Sequence, residues 1–100
     1  MTDTRYQQVT FNEDGDLVWS GHDLGPAVSS MVSGANEYEY WRTVRAPFVP
    51  ALAAALGVAP KDLPAVVRSR FASDVELDAF AEAHGILTEF DNWIPTNWDE

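Results

Sequence analysis

The chain is 100 residues long, sets 16 acidic residues against 6 basic ones for a net charge of −10, and contains no cysteine. That length makes one domain, able to bury roughly two-thirds of its unfolded surface in a single core without covalent staples. Lack of cysteine excludes disulfides, thiolate metal sites and a thiol nucleophile, and the acidity argues against contact with DNA or RNA, whose phosphates call for basic residues.

Residues 1–8 are polar and lack the basic-then-apolar plan of a secretion signal, so a cytoplasmic location is expected. Residues 1–4 are expected to be frayed. Residues 5–11 read as a first strand, with Gln7, Val9 and Phe11 on one face and Tyr6, Gln8 and Thr10 on the other. Asn12-Glu13-Asp14-Gly15-Asp16 is turn chemistry, and residues 17–20 return as the second strand of a hairpin. The same turn has oxygen ligands at calcium-loop spacing. It lacks the glycine and glutamate that complete such a loop, so no metal site is assigned. Gly21 to Pro26 ends that strand, and Asp23 and Pro26 open a short helical segment over residues 26–32.

Residues 37–44, Glu-Tyr-Glu-Tyr-Trp-Arg-Thr-Val, form the densest aromatic and β-branched run in the chain. Strand alternation places Tyr38, Tyr40, Arg42 and Val44 on one face, toward later helices, and Glu39, Trp41 and Thr43 on the other. Residues 46–56 then read as a helix, with Pro47 and Pro50 in its first turn, an apolar stripe of Val49, Leu52, Ala53 and Leu56, and Gly57 as its stop. A second helix begins at residues 60–62 with Asp62 as its cap, and Leu63, Val66, Val67 and Arg70 line one side. Ser73 and Glu76 have the spacing of a capping box for a third helix ending near His84. In it Leu77, Phe80, Ala81 and His84 share a face, with Asp74, Asp78 and Glu82 off it. Residues 86–90 alternate as a last strand, and residues 91–100 form an acidic, aromatic tail. The fold class is therefore α+β. A small antiparallel sheet of three to four strands carries three helices, plus the short helical segment, on one face.

Catalytic patterns are sparse. His22 stands beside Asp23, and His84 ends a helix. No serine elbow, phosphate loop, dinucleotide fingerprint or paired-histidine zinc motif occurs. An enzyme is not expected, nor a metal or other cofactor. The four tryptophans say more. Trp41 lies on the open sheet face, to which the hairpin adds Tyr6, Thr10 and Val18, unless the tail folds across and buries it under Trp93 or Trp98. Aromatic rings among carboxylates suit protein recognition. The charge also runs in blocks along the chain. Residues 1–40 hold one base against seven acids, residues 41–72 five bases against one acid, and residues 73–100 eight acids and no base.

The run from Asp14 to Gly25, Asp-Gly-Asp-Leu-Val-Trp-Ser-Gly-His-Asp-Leu-Gly, followed by Tyr38-Glu39-Tyr40-Trp41, resembles small uncharacterised bacterial proteins of the actinobacterial type. Five arginines against one lysine agree with that. In charge and size the chain is also similar to immunity proteins of bacterial polymorphic-toxin systems, which are small, cytoplasmic and often acidic. That resemblance implies a binding protein that blocks a basic partner such as a toxin, and it transfers no catalytic residue. The expected partner-binding residues are Glu37, Glu39, Trp41, Asp91, Trp93, Trp98, Asp99 and Glu100, with no membrane contact. The alternatives are a homodimer paired through the same face, or a small enzyme using His22 and Asp23.

Overall fold

The hairpin turn shows how local chemistry starts this fold. The side-chain oxygen of Asn12 accepts hydrogen bonds from the amides of Asp14 at 2.9 Å and Asp16 at 3.0 Å. Gly15 takes the positive φ (82°) that closes the turn. In the structure, a computed structural model that describes residues 4–24 and 37–93, with side chains at 6–22 and 38–93, this turn joins β1 (Thr4–Phe11) to β2 (Leu17–Leu24). β3 (Glu37–Val44) and β4 (Glu89–Trp93) complete the sheet. All neighbours are antiparallel, in the order β1-β2-β3-β4.

Two of the strands are longer than the sequence suggests. Thr4 is paired with Leu24 rather than frayed, and β2 runs through Gly21 to Leu24. The glycine does not end the strand because the ring of Tyr40 lies over it, where a β-carbon would collide with that ring. Tyr40 is itself fixed between Tyr38, at 5.7 Å between centroids, and Phe90, at 6.3 Å. The expected helical segment at residues 26–32 lies outside the described residues.

Helices follow in a tight series. A 3-10 turn (Ala46–Phe48) leads into α1 (Val49–Leu56), and a second (Pro60–Asp62) leads into α2 (Leu63–Arg70). Prolines occupy the first turns, where an amide has no helical partner to lose. Asp62 holds the cap position of α2 but makes no side-chain capping bond. The 3-10 turn before it shapes that helix start instead. α3 (Asp74–Ala83) is capped as its spacing indicates: Ser73 accepts from the Glu76 amide at 3.3 Å, and Glu76 reaches back to the Ala72 amide at 2.9 Å.

The apolar sides of α1, α2 and α3 meet Val9, Leu17, Trp19 and Val44 from one face of the sheet in a single core. Trp19 is 0 % exposed; its indole N–H donates to Gln7 Oε1 at 3.0 Å, and the Arg68 guanidinium lies 5.4 Å from its ring. Asp74 corrects the expected helical wheel. It is 7 % exposed, on the same side as Leu77 and Ala81, and accepts from Arg42 Nε at 2.9 Å. Arg42 also reaches Thr88 Oγ1 at 3.1 Å and sits 4.9 Å over the Phe90 ring. A half-buried β3 cation therefore draws a carboxylate onto the core face of α3.

The last strand is displaced too, from the expected residues 86–90 to Glu89–Trp93. Its start is delayed because Ile86 closes α3: its amide donates to Ala81 O at 2.8 Å and its side chain is buried. Thr88 is held by Asp78 and Arg42. No single helix among the described residues is long and apolar enough to cross a membrane.

Candidate functional site: the outer face of the sheet

All three described helices contribute to the inner core, and among the described side chains the opposite sheet face has no buried residue. Strand register lays that outer face out as three rungs. The first reads Tyr6, His22, Glu39, Trp93 across β1 to β4; the second Gln8, Ser20, Trp41, Asp91; the third Thr10, Val18, Thr43, Glu89. Trp41 is central and half-buried, with Ser20 on one side and Asp91 on the other. Three hollows of about 350, 440 and 340 Å³ meet at its ring.

Four of the sequence-predicted residues come together here: Glu39, Trp41, Asp91 and Trp93. Asp91 and Trp93 belong to β4 rather than to a tail, and Trp93, 49 % exposed, stands in the neighbouring rung opposite Glu39 instead of lying over Trp41 as a lid. Glu37 opens β3 opposite Leu24. Its side chain, like Trp98, Asp99 and Glu100, lies outside the described residues.

Charge on this face is unequal. Asp16, 3 % exposed at the hairpin turn, accepts from the Ala46 amide at 2.7 Å, from Asn12 at 3.2 Å and from Arg45 at 3.1 Å. The Ala46 amide, then Asn12 and Arg45, hold its carboxyl below the usual range despite burial. Arg45 also pairs with Glu89 at 3.0 Å, and Glu89 is the main cause of its raised pKa. Glu89 thus shares one guanidinium with Asp16. The negative character around Trp41 rests on Glu39 and Asp91.

No family model, curated protein or solved structure matches this chain.

Sequence reasoning brought Tyr6, Thr10 and Val18 of β1 and β2 to this face but left His22 out of it. His22 lies within β2, not in a loop, with its Nε2 3.6 Å from Glu39 Oε2 and its ring 6.5 Å from that of Tyr6. Asp23 takes the adjacent register position, opposite Tyr38, so the carboxylate set against the imidazole is Glu39. Parity along each strand was readable in the sequence. The hairpin register, which the Asn12–Asp16 turn fixes, sets Tyr6 opposite His22, and the separate β2–β3 register sets His22 opposite Glu39. His84 closes α3, with Nδ1 2.9 Å from Phe80 O. Among the described residues no group of three histidines or carboxylates is placed to hold a metal ion.

Proposed function

We propose that the chain is an acidic binding protein that neutralises or regulates a basic protein partner through the outer sheet face. Its most concrete form is a cytoplasmic, immunity-type inhibitor of a bacterial toxin. The observation that carries this reading is the outer face itself, which none of the described helices covers, with a half-buried indole at its centre and Glu39 and Asp91 beside it. Burying an indole at the centre of a contact is a common source of binding energy. Surrounding carboxylates on a chain of net charge −10 accelerate encounter with a cation-rich surface. Homodimerisation through the same face is the weaker reading, because a two-fold contact would bring the Glu39 and Asp91 carboxylates of two copies toward each other.

The test is to capture the tagged chain in its own cell, identify what co-purifies, and follow association at increasing salt. The association rate is expected to fall steeply with added salt. Trp41→Ala is expected to weaken binding by about 2 kcal/mol or more while leaving the fold intact by circular dichroism. A flat salt response, or unchanged affinity for Trp41→Ala, counts against the proposal. A stable dimer at high dilution with no co-purifying protein replaces it with the homodimer.

A further inference from the structure

We propose that the hollow between Tyr6 and Trp41 receives a guanidinium, the end of an arginine side chain presented by the basic partner. This rests on the reading of the outer face as a protein-binding surface and names the chemistry recognised there. Tyr6, Gln8, Ser20, His22, Glu39 and Trp41 line a space of about 350 Å³. That is near the lower end of the roughly 300–1,000 Å³ found for ligand pockets, a size suited to one long side chain.

A guanidinium is a flat cation with five N–H donors. It is held best where an aromatic face, a carboxylate and neutral acceptors converge. The hollow offers the rings of Trp41 and Tyr6, the carboxylate of Glu39, and the acceptor oxygens of Gln8 and Ser20. The chain already uses this combination on its inner face. There Arg42 lies 4.9 Å over Phe90, with Asp74 at 2.9 Å and the Thr88 hydroxyl at 3.1 Å. Outside, the ring, carboxylate and hydroxyl recur, and the described residues lining the hollow include no lysine or arginine. His22 approaches Glu39 at 3.6 Å, yet the Glu39 side chain keeps 31 % of its surface open to an entering group. Charge complementarity selects a cation, and the aromatic lining selects a planar one over an ammonium.

The test titrates the full chain with Nα-acetyl-arginine methylamide, its lysine counterpart and its neutral citrulline counterpart, read by NMR. The arginine probe is expected to shift the Trp41 indole and the Ser20 and Glu39 amides saturably. The lysine probe should bind several-fold more weakly, and citrulline should leave the signals unmoved. Glu39→Gln should weaken the arginine probe by about fivefold. Tyr6→Leu, at a position 59 % exposed, should weaken it with the native spectrum preserved. Equal shifts with citrulline, a Glu39→Gln titration like the parent's, or shifts mapping to other carboxylates would overturn the site. So would a probe-free spectrum that changes on dilution, which would place a second copy on the hollow. A captured partner indifferent to both substitutions removes this site and leaves the protein-binding reading standing. Specific arginine binding in a chain that captures no basic partner does the reverse.

Discussion

Trp19 and Gln7 show how much single side chains carry here. The indole is fully buried, and its N–H is satisfied at 3.0 Å by a glutamine twelve residues earlier, on the neighbouring strand. Gln7→Met keeps the bulk and removes the acceptor, leaving a buried donor unpaired. The expected loss is about 1–3 kcal/mol in denaturant melts, and an unchanged midpoint would show that the indole finds another partner. Asp16 makes a pH prediction at the same scale. Its carboxyl pKa is lowered on folding from an ordinary 3.8, chiefly by the Ala46 amide. A lowered pKa means that folding favours the ionised form. The resulting stability is fully present above the ordinary carboxylate range and is lost as pH falls through the lowered value. Asp16→Asn should therefore be less stable than the parent at neutral pH, with the gap narrowing as pH falls below the ordinary 3.8 and through the lowered value. Thermal melts across that range check it, and a gap independent of pH would refute the assignment. Both residues are ordinary in the sequence. Their importance comes from which strand or helix start they meet.

Between elements, the main polar tie runs from β3 to α3. Arg42 and Asp74 are 13 % and 10 % exposed at their side chains and meet at 2.9 Å, 32 residues apart in the chain. Helical periodicity and the capping box placed α3 correctly, yet the wheel put Asp74 off the apolar side. Sequence patterning assigns a carboxylate to water, and only an arginine arriving from another element reverses that. Arg42→Met should leave Asp74 buried without its cation and cost about 3 kcal/mol. Pairing it with Asp74→Leu should recover much of that loss. Chemical denaturation of the two single variants and the double decides the matter; a double variant no better than Arg42→Met would mean that the pair does not couple. The displaced last strand has a related cause. Residues 86–90 alternate acceptably, but Ile86 is taken by the end of α3 and Thr88 by Arg42 and Asp78, so pairing with β3 begins only at Glu89.

For the whole molecule, net charge makes two expectations of opposite sign. A chain at −10 repels itself when compact, and screening relieves that repulsion. Added salt should therefore raise the melting temperature while slowing association with a basic partner. A melting temperature that falls with salt would mean that ion pairs such as Arg45 with Asp16 and Glu89 outweigh the repulsion. What the amino-acid sequence settled by itself was local and periodic. Asn12 to Asp16 turns because its side chains bond its own backbone. The α+β class follows from period-two and helical patterning, and Trp41 parts from Tyr40 because neighbours in a strand face opposite ways. Tertiary structure alone decided how Tyr6, His22 and Glu39 align across three strands, and why Asp74 turns inward. Those outcomes depend on contacts between residues far apart in the chain, whose energies no local pattern of side chains encodes.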